Sequence, residues 1–210
     1  MIKATATMSM TRFKTASIVV NILIKHKFWL IKMKHLLFKD GDFKKEIKKL
    51  STKRVVKKLA NFPISTVDLF DVTEIPVLTE TDVAGLSATK FKQVAKKGVI
   101  ILVANPPPQV VGHFVCMWQN EGKWYYWDSF GKPITSQILR DKMAGESVYY
   151  NTQIYQDIKL NSCGPQCALR LAFKHLDDKD YYDKIRSMIV EHGLTPDQIA
   201  MSLYVLDARD

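Results

Sequence analysis

The strongest pattern of apolar positions lies in the middle of the chain and predicts three strands. Gly98 to Ala104 is a short, fully apolar run, which is typical of a strand buried on both faces. Gly112 to Trp118 and Lys123 to Asp128 are aromatic-rich runs joined by a tight Gln-Asn-Glu-Gly turn, which predicts a β-hairpin. The run from Val148 to Thr152 predicts a further strand.

Segments with a helical pattern flank these strands. We expect an extended segment from Asp71 to Leu78 and irregular or short helical structure from Glu80 to Lys97. Beyond the hairpin, apolar periodicity and turn signals predict four helices, at residues 134–143, from 163 to about 175, at 178–190 and at 195–206. Strands bracketed by helices, with a hairpin in the middle, indicate an α+β fold.

Charge divides the chain into two parts. Residues 1–60 hold 16 Lys and Arg residues against three acidic ones, whereas residues 61–210 hold 15 basic and 18 acidic residues. We therefore distinguish a basic arm, residues 1–60, from a body, residues 61–210. Such asymmetry is typical of a segment that contacts nucleic acid, an anionic surface or an acidic partner, and also of a solvated basic face.

Two helices are predicted in the basic arm. The apolar run at 17–38 contains four lysines, each of which costs about 2.5–3.5 kcal/mol near a bilayer centre. We therefore expect an amphipathic helix here, packed on the body or lying on a membrane surface, and no membrane span. Phe43 to Ala60 has one apolar stripe surrounded by lysines and predicts a second helix. Met33 is an alternative start of the chain.

Cys163 opens one of the predicted helices. Asn161 and Ser162 resemble an N-cap, and Pro165 suits the first helical turn. A thiol at a helix N-terminus is favoured as a thiolate, which makes Cys163 a candidate nucleophile. The alternative is a small buried apolar side chain. Cys163 and Cys167 could also bind a metal, but a structural zinc site needs four ligands and no second pair is present.

A thiol nucleophile needs a base, usually histidine, and the base needs an orienting partner. Of five histidines, His113 is the one on a predicted strand. If the hairpin turn centres on Asn120 and Glu121, His113 falls opposite Asp128 on one face of the sheet. In that position the Asp128 carboxylate either holds the His113 imidazole in one tautomer or forms a purely structural pair with it. The same alternation points Cys116 away from His113.

Acyl transfer to a thiol also needs a donor for the oxyanion that forms on the carbonyl oxygen. Gln153 and Gln156 precede Cys163 in a loop-like stretch, and either could donate together with the backbone N–H of Cys163. Each is otherwise an ordinary polar surface residue.

Three cysteines, an odd number, do not suggest a disulfide framework, and no secretory signal stands at the start. We therefore expect a reducing compartment.

Three motifs in this order resemble a known protease family. They are Gly112-His113-Phe114-Val115, then Trp127-Asp128-Ser129-Phe130-Gly131, then Gln156 seven residues before Cys163-Gly164. They are similar to the adenovirus-type cysteine proteases (adenain), including those of virophages and Maverick/Polinton elements, and more distantly to SUMO-deconjugating peptidases. The resemblance covers about residues 70–175. It implies a papain-like α+β fold with a central mixed sheet.

The resemblance also implies a role for each site residue. His113 is the general base, Asp128 its orienting partner, Gln156 the oxyanion donor and Cys163 the nucleophile. The sequence departs from the family where Phe114 follows the histidine, since the family commonly has tryptophan there. The basic arm has no counterpart that can be aligned.

The implied activity is a thiol endopeptidase that matures capsid or core proteins in the virion, the host cytoplasm or a viral factory. Its sites are of the Gly-Gly or Gly-X-Gly type, and the chemistry needs no cofactor. Because adenovirus-type enzymes are activated by DNA and a peptide, residues 1–60 are expected to bind nucleic acid. The alternatives are a deconjugating peptidase for ubiquitin-like proteins and a DNA-binding structural protein with a vestigial site.

Overall fold

A computed structural model describes residues 64–104 and 112–207. The two helices expected at 17–38 and at 43–60, the basic arm as a whole and the proline-rich segment that follows Ala104 lie outside the described residues. Within the described ranges the chain forms seven helices and five strands. In chain order they are α1 (Thr66–Thr73), β1 (Val77–Thr79), α2 (Glu80–Gly85), α3 (Ala88–Ala95), β2 (Val99–Val103), β3 (His113–Asn120), β4 (Lys123–Trp127), α4 (Gln137–Lys142), β5 (Val148–Tyr150), α5 (Cys163–Ala172), α6 (Asp178–His192) and α7 (Pro196–Asp207).

The strands form one mixed sheet in the order β1-β2-β3-β4-β5. The outer pairs, β1–β2 and β4–β5, are parallel, and the two central pairs are antiparallel. The predicted α+β class, the mixed sheet and the hairpin are therefore confirmed. Within the described ranges, no helix is both long and apolar enough to cross a membrane.

Apolar cores cover both faces of the sheet. One core contains Val115 and Met117 of β3 with buried side chains of α2, α3 and α4. The other contains Phe114, Cys116 and Trp118 of β3 with buried side chains of α1, α5, α6 and α7. Burial on both faces explains why β2 is an unbroken apolar run without alternation.

The register expected for the hairpin is wrong by two residues. Asn120 pairs with Lys123, so the turn centres on Glu121 and Gly122, whose φ angles of 49° and 78° are both left-handed. Such two-residue turns match the twist of the flanking strands and favour glycine at the second position. Because side chains alternate with a period of two, this slip keeps each residue on its expected face.

The first described helix corrects another expectation. Residues 71–73, expected to be extended, belong to α1 instead, and only Val77 to Thr79 form a strand. A reciprocal capping box explains the difference, since the Ser65 side chain accepts a hydrogen bond from the Asp68 N–H and the Asp68 carboxylate accepts one from the Ser65 N–H. Short helices were expected after Glu80, and α2 and α3 confirm them.

Candidate active site

The four site residues predicted from the sequence line one cleft of about 390 Å³ at an end of the sheet. His113 is the first residue of β3, and Asp128 directly follows β4. Cys163 is the first residue of α5, and Gln156 lies in the loop between β5 and α5. Neighbouring strand ends and a helix N-terminus therefore bring together side chains that are up to 50 positions apart in the sequence.

His113 and Asp128 form a nearly buried pair. The His113 Nε2 atom lies 3.0 Å from Asp128 Oδ1, and the two side chains are 11% and 4% exposed. The backbone N–H of Phe130 donates to the same carboxylate oxygen over 2.7 Å. The Phe130 ring stacks on the imidazole with its centroid 4.9 Å away. Asp128 thus holds one edge of the imidazole, and the Phe130 ring holds one of its faces.

Asn151 anchors the backbone of Asp128. Its side-chain oxygen accepts the Asp128 N–H over 2.9 Å, and its amide nitrogen donates to the Asp128 carbonyl over 2.7 Å. The same amide nitrogen donates to the carbonyl of Gln153 over 3.0 Å. Asn151 is 3% exposed, so these bonds form away from water. The end of β4 and the loop after β5 are therefore joined at the orienting carboxylate.

The Cys163 thiol lines the same cleft as the His113 ring and raises the pKa of that ring. Because Nε2 of that ring faces Asp128, Nδ1 is the nitrogen left for the thiol. Burial lowers the pKa of His113, but its hydrogen bond to Asp128 and its interaction with Cys163 outweigh burial and raise the pKa to about 9. The imidazole is therefore protonated at neutral pH and carries a positive charge in the cleft that Cys163 lines.

The raised pKa of His113 predicts a pH-dependent contribution to stability. The folded-state pKa of about 9 exceeds the ordinary value of 6.5, so the contribution is complete below pH 6.5 and is lost as the pH rises through 9. We expect His113→Gln to lower the free energy of unfolding at pH 6, and this deficit to shrink by on the order of 3 kcal/mol above pH 9. Urea unfolding of both proteins from pH 6 to 10 measures it. A deficit that is the same at every pH would contradict the assignment.

Gln156 lines the cleft, and two hydrogen bonds fix its side-chain amide. Its Oε1 atom accepts a hydrogen bond from Ser129 Oγ over 2.6 Å, and its Nε2 atom donates to the Leu160 carbonyl over 2.5 Å. One N–H of this amide is left for a ligand in the cleft. The rival donor, Gln153, is exposed and does not line the cleft. The geometry therefore favours Gln156 of the two.

The other two cysteines lie in the core. Cys116 and Cys167 are completely buried, and Cys116 is on the opposite side of β3 from Val115 and Met117, as the alternation predicts. The Cys167 thiol donates to the Phe114 carbonyl over 3.4 Å, and burial raises its pKa well above the usual range. Over the described parts of the chain, no cluster of three or more His, Cys, Asp and Glu residues could hold a metal ion.

The sequence did not reveal what supports the site. Ser129 orients Gln156, Phe130 stacks on His113, and Asn151 holds Asp128, but these contacts join residues far apart in the chain and leave no periodic signal. Gly131 is a position that requires glycine, because its φ of 66° is left-handed and an added Cβ would lie 2.7 Å from the Thr152 carbonyl oxygen. The four consecutive residues from Asp128 to Gly131 therefore all help to shape the site.

No model of a known protein family matches this chain, and a comparison with curated proteins gives no match. The resemblance to adenovirus-type proteases therefore stays a prediction based on the motifs. What the cleft can do chemically is therefore inferred from the positions of its own side chains.

Proposed function

We propose that this chain is a cysteine peptidase with a papain-like arrangement of its site. The observation that carries the proposal is the placement of the Cys163 thiol with the hydrogen-bonded His113–Asp128 pair in one cleft that also contains Gln156. A structural ion pair does not require a partly exposed thiol in the same cleft. A nucleophile activated by a base, with the base oriented by a carboxylate, requires each of these parts.

The proposed reaction has two steps. In the first, the Cys163 sulfur attacks the peptide carbonyl, and the His113 imidazolium gives its proton to the departing amine, which leaves an acyl-enzyme. In the second, His113 takes a proton from water, the resulting hydroxide attacks the thioester carbonyl, and the carboxylic acid and the Cys163 thiolate are released. Asp128, hydrogen-bonded to the His113 ring, orients and stabilises the imidazolium.

Gln156 and the N-terminus of α5 are the proposed oxyanion site. The backbone N–H of Cys163 is among the first N–H groups of the helix, which have no partner within it, and the Gln156 amide lines the same cleft. Each donor aimed at the developing oxyanion contributes about 2.7–4 kcal/mol to transition-state stabilisation. The hydrogen bond from Ser129 keeps the Gln156 amide in this orientation before the substrate arrives.

The motif resemblance supports a more specific role. We propose an endopeptidase of a DNA virus or virus-like element that cuts capsid or core proteins at Gly-Gly or Gly-X-Gly sites, with residues 61–210 as the protease domain. The 16 Lys and Arg residues of the basic arm support binding of this enzyme to packaged DNA. This role places the enzyme in the virion, the host cytoplasm or the viral factory.

The experiment that tests this function compares two kinds of substrate. The full chain is incubated with Gly-Gly aminocoumarin peptides that differ in the preceding residues, and in parallel with ubiquitin and SUMO carrying a C-terminal propargylamide. We expect hydrolysis of the peptides and no labelling by either probe. Labelling by a probe would instead favour a deconjugating peptidase. Neither reaction, together with binding of duplex DNA, would favour the structural DNA-binding protein.

A further inference from the structure

Asp197 is a buried carboxylate close to the site, in the first turn of α7, and the reaction proposed above does not use it. It is 3% exposed. Its position in the helix does not explain its burial, because α7 is already capped by Thr195 and Gln198. The Thr195 N–H donates to Gln198 Oε1 over 2.9 Å, and the Gln198 N–H donates to Thr195 Oγ1 over 3.2 Å.

The Asp197 carboxylate instead accepts hydrogen bonds from residues next to the nucleophile and next to the oxyanion donor. Ser162 Oγ donates to Oδ1, and Ser162 is the residue before Cys163. The backbone N–H of Asp157 donates to Oδ2 over 3.0 Å, and Asp157 is the residue after Gln156. The Gln166 side chain, one turn along α5 from Ser162, is a third donor.

This arrangement changes the start of the nucleophile helix. Ser162 occupies the N-cap position of α5, but its hydroxyl makes no capping bond because it points to Asp197 instead. Ser162 is completely buried, so this hydrogen bond forms away from water. Burial raises the pKa of Asp197, while the bonds from Ser162, Asp157 and Gln166 oppose that rise. The carboxylate therefore has enough donors to be kept in the interior.

We infer that Asp197 is a positioning residue that sets the Cys163 thiol and the Gln156 amide at a fixed distance from each other. This inference rests on the proposed peptidase function. The Asp197 side chain holds Ser162, the residue before Cys163, and Asp157, the residue after Gln156. It therefore fixes both Cys163 and Gln156 relative to α7. Reaction at a carbonyl requires that alignment, because a displacement of 1 Å costs about 100-fold in rate.

The test uses three variants of the full chain. Asp197→Ala removes every acceptor. Asp197→Asn keeps the shape, and its amide can accept from the Asp157 N–H while donating to the Ser162 hydroxyl, which is both donor and acceptor. Thr195→Ala is the matched control, because it weakens the N-terminus of the same helix and leaves the contacts of Asp197 in place. If Asp197→Ala does not fold, Ser162→Ala replaces it, since it removes one of the three donors.

Two measurements separate positioning from stability. One is kcat and KM on a Gly-Gly aminocoumarin peptide, and the other is the alkylation rate of Cys163 by iodoacetamide at pH 6, where an ordinary thiol with a pKa of about 8.5 reacts slowly. For Asp197→Ala we expect kcat to fall about 10- to 100-fold with KM unchanged within about threefold, and alkylation to slow about tenfold. Asp197→Asn and Thr195→Ala are expected to stay within about threefold of wild type in both.

The outcomes distinguish this inference from the proposed function. Wild-type values for Asp197→Ala, or equal losses in Asp197→Ala and Thr195→Ala, would overturn the positioning role. A wild-type chain that hydrolyses no peptide would overturn the peptidase. In that case, selective slowing of Cys163 alkylation in Asp197→Ala would still support positioning of the thiol.

Discussion

Replacing Cys163 by alanine is expected to lower the hydrolysis of a Gly-Gly peptide by a factor on the order of 10⁶. The reason is that the sulfur forms the covalent intermediate, and no other described thiol lines the cleft. The chain should still fold, because Cys163 is only partly buried and alanine fits the first turn of α5. Initial rates with the fluorogenic peptide, together with a thermal melt, measure both effects.

Cys116→Ala is the matched control for this change. Cys116 is also a free cysteine but is completely buried in the core of the sheet. We expect it to keep activity within about threefold of wild type and to lose some stability, as small deletions in a packed core do. Full activity of Cys163→Ala would rule out the proposed nucleophile. Loss of activity in Cys116→Ala without loss of structure would contradict the side of β3 assigned to it.

The second large effect is expected at Arg170, a buried arginine near the end of the nucleophile helix. Its side chain is 1% exposed, and its guanidinium lies 4.6 Å from the ring centroid of Trp118 and 4.7 Å from that of Tyr181. It donates to the carbonyl of Phe173 over 2.8 Å, to that of Leu176 over 3.1 Å, and to the carboxylate of Asp178 over 3.2 Å. The guanidinium thus joins α5 to β3, to α6 and to the turn between the two helices.

Arg170→Ala is expected to lower the free energy of unfolding by about 3–5 kcal/mol. The substitution opens a cavity between two aromatic rings and removes the side-chain donor from the buried Phe173 carbonyl and from the half-buried Leu176 carbonyl. Guanidinium unfolding followed by tryptophan fluorescence measures the change. Arg186→Ala is the matched control, since Arg186 is an exposed arginine on α6 and its removal should cost less than about 0.5 kcal/mol. Equal stability of the two variants would contradict the structural role of Arg170.

The sequence pattern predicted helices and strands well where the spacing of apolar residues matches the faces that are packed in the fold. The continuous apolar run of β2 and the helix that begins at Cys163 are of this kind. The face of His113 was also predictable, because side-chain alternation survives a slip of two residues. The turn was missed by one position because Glu121 adopts a left-handed φ of 49°, which is uncommon for a residue other than glycine.

Long-range contacts were not predictable from the sequence. Asn151 and Asp128 are 23 positions apart, and Ser162 and Asp197 are 35 apart, so no local pattern links them. Arg170 looked like an ordinary charged residue of a helix, because burial of an arginine depends on rings and carbonyls contributed by other elements. The sequence therefore indicated the side chains that meet in the cleft, while the residues that hold them became apparent only from the fold.

The proposed activation of the Cys163 thiol by His113 is tested most directly by alkylation. Wild type and His113→Gln are treated with iodoacetamide at pH 6, and each cysteine is followed by peptide mass mapping. We predict rapid modification of Cys163 in the wild type, and at least about a tenfold slower reaction of the same thiol in His113→Gln, because an unassisted thiol is mostly protonated at this pH. Equal rates at Cys163 in the two proteins would contradict the claim.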